Sequence, residues 1–198
     1  MPFTFKLILF GDGAVGKTTL AHRYVTGSFK EDTLITIGVE FHVKSISIDG
    51  ENVDLQLWDL GGEERFRFIL PAYALGAQGG VFLYDITSPL SLSHMGEWLA
   101  VLRGQAHDVP VIMAGTKADL DTRRKVFTEE AAEMGGKYGI PNIIEVSSKT
   151  GQNVDLLFET ISRMMIEQIT KNDKKVINPN IEIIDNINPK HSIFHDSI

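Results

Sequence analysis

FKLILFGDGAVGKTTLAHRYV, residues 5–25, decides the fold. An apolar run of strand length, FKLILF at 5–10, runs into a glycine-rich turn, and a helix is expected from about 17 to 26. The turn itself, GDGAVGKT at 11–18, matches G-x-x-x-x-G-K-[ST]. That spacing has a physical purpose. Glycines let successive backbone N–H groups turn inward around a β-phosphate, and the helix N-terminus adds favourable partial charge. Lys17 is placed to reach β- and γ-oxygens, and the Thr18 hydroxyl to ligate Mg²⁺. Gly11, Asp12, Gly13, Ala14, Val15, Gly16 and Thr19 complete the candidate cradle.

Outward from this loop, apolar runs alternate with helical patterns, the arrangement of parallel strands joined by helical crossovers. VEFHVKSISI (39–48) and NVDLQLWDL (52–60) alternate around DGEN and predict an antiparallel hairpin at a sheet edge. Further strands are expected at 80–86, 109–117 and 142–148; VFLYD and VIMAG within them are near-continuous apolar runs, as in strands covered on both faces. Helices are expected at about 90–105, 128–138 and 153–170. The class is α/β, a P-loop NTPase fold: six strands, mostly parallel with one antiparallel edge strand, flanked by about five helices. Residues 1–170 are expected to form the domain. Residues 171–198, rich in Asn and Ile with two Asn-Pro steps, are expected to be a flexible or loosely docked tail.

Composition excludes several functions. With 198 residues, 43% apolar, the chain suits one compact domain. A formal net charge of −7 argues against a broad basic face for nucleic acid. No apolar run approaches the ~20 residues that cross a bilayer. The chain has no cysteine, which excludes disulfides, thiolate metal sites, cysteine nucleophiles and cysteine-linked lipids, and Pro2 precludes myristoylation. A cytoplasmic location with no direct lipid anchor is expected, any visit to a membrane being carried by a partner protein. Nothing in the sequence demands more than a monomer.

TKAD, 116–119, directly follows the apolar strand VIMAG. Asp119 there could accept hydrogen bonds from guanine N1–H and its exocyclic amine; adenine lacks both donors and would leave the carboxylate unpaired, at a cost of about 1–3 kcal/mol. SSK, 147–149, ends another strand and could bring a backbone N–H to guanine O6. Three loops at the carboxyl ends of parallel strands mark where an open α/β sheet binds ligand.

With GDGAVGKT, TIGVEF, WDLGGEERF, TKAD and EVSSK in order from residue 11 to 149, the chain resembles a small GTPase of the Ras superfamily, most similar to the Rab branch. The resemblance covers about residues 4–170. It implies binding of GTP and GDP with Mg²⁺, hydrolysis of GTP, and switch regions read by effectors under an exchange factor and a GTPase-activating protein. Residue by residue, it implies that Lys17 neutralises phosphate charge, that Thr18 and Thr36 hold Mg²⁺, and that Asp59 holds it through water. It further implies that the Gly62 N–H senses the γ-phosphate, that Phe29 packs against guanine, and that Lys117 covers the base. Gly13 would leave room for the catalytic residue. Thr116 replaces the commoner Asn, and Ser147, Ser148 and Lys149 complete the base site. Phe41, Trp58 and Tyr73 occupy the positions of an aromatic triad that Rab proteins turn to effectors; strand aromatics also often simply pack.

One position departs from the pattern. Where the family usually carries a water-orienting glutamine, this chain has Glu63, and Leu60-Gly61 stands where Rab proteins carry Thr-Ala. Three roles remain open: a solvated loop charge, an acceptor that positions water, or lost hydrolysis that leaves a GTP-dependent scaffold. A carboxylate cannot donate to the γ-phosphate unless protonated, so slow turnover is expected, with a partner supplying positive charge. Arg65 and Arg67 lie near in sequence, yet no arginine inside the motifs is an obvious finger. An ATP-using enzyme would require Asp119 to be irrelevant to base choice.

Overall fold

The structure, a computed structural model, describes residues 2–30, 36, 38–63 and 70–177. One six-stranded sheet runs through it in the order β2-β3-β1-β4-β5-β6. The strands are β1 (Phe3–Phe10), β2 (Val39–Ile48), β3 (Glu51–Leu60), β4 (Gly79–Asp85), β5 (Val111–Thr116) and β6 (Ile143–Glu145). Only β2 and β3 pair antiparallel; the other neighbours are parallel. The helices are α1 (Lys17–Thr26), α2 (Leu70–Ala74), α3 (Pro89–Ser93), α4 (Met95–Arg103), α5 (Thr128–Lys137) and α6 (Val154–Ile177). A 3₁₀ segment spans Ala118–Arg123. This is the expected P-loop NTPase architecture with its single antiparallel edge strand.

The edge hairpin closes on two residues. Asp49 (φ 52°) and Gly50 (φ 88°) both have positive φ, which suits the tight turn favoured by right-twisted strands. β4 and β5 are buried along their whole length, which is why their sequences read as continuous apolar runs. β1 splits its side chains between two layers. Phe5, Leu7 and Leu9 join the core under α1 and α6, where the Tyr24 and Phe158 rings stack with centroids 3.8 Å apart. Ile8 and Phe10 join the opposite core with Trp98, Leu99 and Leu102 of α4. Fully burying a side chain such as Phe158 contributes about 1.5–3 kcal/mol, so each layer holds its helices through many such contacts.

Several boundaries differ from expectation. β1 starts at Phe3 because Phe3 and Thr4 continue the parallel register with Val53 and Asp54. β5 starts only at Val111, after Pro110, which has no N–H for the ladder. β6 is short: it pairs with β5 over Met113 to Gly115, and the chain then turns away so that the Ser147 N–H meets the Gln152 carbonyl (3.1 Å). The helix expected at 90–105 is two pieces, α3 and α4, meeting at His94. The last helix passes residue 170 and continues to Ile177, with no Gly or Pro to stop it and a Glu167–Lys171 pair (3.9 Å) on its exposed side. The rest of the expected tail, 178–198, lies outside the described residues. No helix among the described residues is long and apolar enough to cross a membrane.

Candidate functional site

A cavity of about 540 Å³ opens at the carboxyl ends of the parallel strands. That size suits a drug- or nucleotide-sized ligand, and the position is the one expected for an open α/β sheet. At one end it is lined by the glycine-rich turn from Gly13 to Thr19, with Thr36, Gly62 and Glu63. At the other end stand Phe29, Thr116, Lys117, Asp119, Ser148 and Lys149, joined by Leu120.

The glycine-rich end is built from backbone. α1 begins at Lys17 behind Gly16, a left-handed cap (φ 95°) that contributes no side-chain hydrogen bond, so the helix N-terminus faces the cavity with its amides. Lys17 is 5% exposed, and its ammonium donates to the carbonyls of Gly11 (2.9 Å) and Asp12 (2.6 Å). Burial pushes its pKa down to about 8, opposed by the nearby Asp59 and Asp12 carboxylates. Gly11 and Asp12 thus support the lysine from behind and do not line the cavity. Gly62 closes this end so tightly that a Cβ would lie 2.3 Å from the Asp12 carbonyl oxygen and 2.4 Å from Lys17 Nζ. By contrast, a Cβ on Gly13 would come to 3.7 Å from the Gly62 oxygen, an ordinary contact.

Oxygen atoms converge beside it. The Thr18 hydroxyl lies 2.6 Å from that of Thr36 and donates to Asp59 Oδ2. Asp59 has no exposure, and its Oδ1 has no hydrogen-bond partner among the described residues. Burial raises this carboxyl to about 6, against the Thr18 hydrogen bond and the Lys17 charge. An orphaned buried carboxylate oxygen next to two hydroxyls is the donor chemistry a hard divalent cation takes. The residues present therefore fit Mg²⁺.

The far end is already satisfied internally. Ser147, fully buried, donates to Asp119 Oδ1 (2.6 Å) and so holds from behind the carboxylate it was expected to accompany. Thr116, 3% exposed, places its hydroxyl 2.6 Å from the Val15 carbonyl and 2.9 Å from that of Tyr84, tying β5 to the glycine-rich turn. Lys117 takes left-handed backbone (φ 62°) and pairs with the buried Asp85 at 2.6 Å. Arg124 grips both Glu145 oxygens (2.7 and 2.8 Å), linking the segment after Asp119 to the strand before Ser147.

On the hairpin face, Phe41 is 50% exposed and meets Trp58 edge-on, centroids 5.0 Å apart; Trp58 meets Tyr73 at 5.9 Å. The three rings form one partly exposed patch. Glu63 borders the cavity at the glycine-rich end, whereas Glu64, Arg65 and Arg67 lie outside the described residues.

Sequence reasoning missed Leu120, Asp85, His94 and Trp98. Leu120 had a signal, an apolar residue straight after TKAD, and so did Asp85, a carboxylate ending the all-apolar run VFLY. His94 and Trp98 had none, since only the fold brings α4 against Asp12.

The model of the Ras family matches residues 6–167. Ras-related protein Rab-8B of Homo sapiens is 35% identical over 204 residues, covering 99% of this chain and 97% of that protein. Ras-related protein RABE1e of Arabidopsis thaliana is 36% identical over 183 residues, 91% of this chain and 84% of its own. Ras-related protein RABA4d, also of Arabidopsis thaliana, is 39% identical over 170 residues, 85% and 76% respectively. With its six-stranded sheet, its glycine-rich turn and these relatives, the chain belongs to the Ras family as a Rab-like small GTPase.

Proposed function

We propose that this chain binds GTP and GDP with Mg²⁺, hydrolyses GTP to GDP and phosphate, and presents its two switch segments to effectors in the GTP state. The observation that carries the reading is the single cavity in which the glycine-rich turn, Thr36, Gly62, Glu63 and the Asp119 pocket meet. Lys17, Thr18 and the α1 N-terminus hold the phosphates. Asp119 takes the guanine edge, with Phe29 and Lys117 on the base and Ser147, Ser148 and Lys149 closing that loop. Thr18 and Thr36 ligate Mg²⁺, and Asp59 reaches it through water. Mg²⁺ is usually bound through one or two carboxylates together with substrate phosphates, so Thr18, Thr36 and Asp59 would be enough on the protein's side. When bound, the metal neutralises charge on the β- and γ-oxygens.

In the reaction, water attacks the γ-phosphorus, the bond to the β–γ bridging oxygen breaks, and GDP leaves with the electron pair. Glu63 accepts a hydrogen bond from that water and orients it, the Gly62 N–H and Lys17 stabilise the γ-oxygens, and Thr36 covers them. A carboxylate beside a polyanion is a poorer orienting group than an amide, so intrinsic turnover is slow. A GTPase-activating partner supplies positive charge, an exchange factor reloads the site, and effectors read the Phe41, Trp58 and Tyr73 patch. Location in the cytoplasm, with recruitment to membranes through partner proteins, fits a chain without cysteine.

Single-turnover hydrolysis of bound GTP tests the reading. Glu63→Ala is expected to slow hydrolysis roughly tenfold or more, a loss of about 1.4 kcal/mol or more of transition-state stabilisation, and Glu63→Gln to match or exceed the wild-type rate. Equal rates for Glu63→Ala and wild type would remove the water-positioning role. Absence of GDP after hours of incubation of the GTP-loaded protein would favour a GTP-dependent scaffold.

A further inference from the structure

Asp12 poses an electrostatic problem. It sits inside a loop that cradles an anionic ligand, where a carboxylate turned inward would repel the phosphates. The structure sends its side chain the other way. Trp98 Nε1 donates to Asp12 Oδ1 at 2.8 Å, and His94 Nδ1 lies 2.7 Å from Oδ2. An ionised carboxylate only accepts, so His94 Nδ1 carries the hydrogen in this contact. The anchors are firm: Trp98 is 1% exposed in the core under α4, and His94 stands at the joint between α3 and α4.

The backbone of the same residue faces the site. Its carbonyl accepts from Lys17 Nζ at 2.6 Å, and the Gly62 backbone packs so closely on that carbonyl that a Cβ there would overlap it. Asp12 therefore couples two things through one Cα: the α3–α4 joint holds its carboxylate, and its carbonyl sets the position of the phosphate-binding ammonium and the approach of Gly62. We propose that His94 and Trp98 are positioning residues for the phosphate cradle, holding the Asp12 carboxylate away from the ligand so that its carbonyl keeps Lys17 and Gly62 in place. The inference rests on the proposed nucleotide site. It makes the α3–α4 joint, remote from both switches in sequence, a determinant of how long nucleotide stays bound.

The test is the rate at which ribose-labelled fluorescent GDP leaves the full-length chain in Mg²⁺ buffer. His94→Leu removes one donor from a partly exposed side chain, and Trp98→Phe removes the other while keeping an aromatic ring. Each is expected to raise the GDP dissociation rate roughly fivefold to tenfold, the scale of one ordinary hydrogen bond. His94→Asn, which keeps a donor amide, is expected to return the rate to within about twofold of wild type, on the same scale. A folded His94→Leu variant that releases GDP at the wild-type rate overturns the proposal, as does a His94→Asn variant that releases it as fast as His94→Leu. Should Trp98→Phe fail to fold, the His94 pair decides alone. If the wild type holds no GDP, the proposed function fails first. The indole N–H resonance of Trp98 then tests the tie separately: it is expected to shift in His94→Leu, and an unmoved resonance overturns the proposal.

Discussion

The two ends of the cavity are built on opposite terms. At the base end, partners are already in place: Asp119 with Ser147, Lys117 with Asp85, Thr116 with two carbonyls, and Arg124 with both Glu145 oxygens. At the phosphate end, polar groups are buried without full compensation: Lys17 has its pKa depressed, Asp59 has its own raised, and the Asp59 Oδ1 atom is orphaned. Burying a charge without a partner costs stability. One end is thus a network whose polar groups already hold one another. The other gathers buried charge, which an anionic ligand together with a divalent cation would pair.

That contrast can be broken most severely at the phosphate end. Lys17→Ala is expected to weaken affinity for GDP by about 2–5 kcal/mol, the cost of truncating one partner of a buried charge pair, when titrated calorimetrically. Because the empty protein then no longer buries an ammonium, its own thermal midpoint is expected to hold or rise. At the base end a smaller loss, with a change of preference, is expected. Asp119→Asn should shift the discrimination between GDP and ADP by about 1–3 kcal/mol, since the selective acceptor is replaced by a group that can also donate; competition between the two nucleotides reads it. Unaltered preference would show that this end does not read the base.

The smallest effect sharpens the comparison. With its pKa pushed down to about 8 by burial, against 10.5 for an ordinary lysine, Lys17 binds fewer protons folded than unfolded between those values. The nucleotide-free fold therefore gains stability as pH rises through that window. Phosphates favour the ammonium, so binding at about pH 9 is expected to take up a fraction of a proton, and affinity falls as pH rises. Heats measured in two buffers of different ionisation enthalpy check this, and Lys17→Ala should abolish the uptake.

Much of this was legible in the sequence, for local reasons. The P-loop announces itself because its chemistry is contained in eight adjacent residues, and α1 falls on 17–26 as expected because the loop fixes its start. The hairpin was legible because alternation and a DG turn act at short range. The end of β6 was not, since Val146 and Ser147 are apolar-to-polar strand formers diverted by a loop contact with Gln152. Nor was the break at His94, whose ring answers a carboxylate 82 positions earlier. Asp119 was readable as a residue of the cavity, whereas Arg124 and Glu145 were hidden, because a supporting residue has no signature until its partner is beside it. The reach of α6 was obscured by composition: an Asn- and Lys-rich ending resembles a tail, yet contains nothing that stops a helix before Pro179.

The length of α6 has a mechanical consequence. The helix leaves the base loop and runs back along the sheet, so that Met165 already packs by Gly79 at the start of β4, and Arg163 reaches Asp49 in the hairpin turn. At 1.5 Å per residue its 24 residues extend about 36 Å. Ile177 therefore stands toward the pole opposite the opening of the cavity. A tether attached there would leave the mouth of the cavity clear.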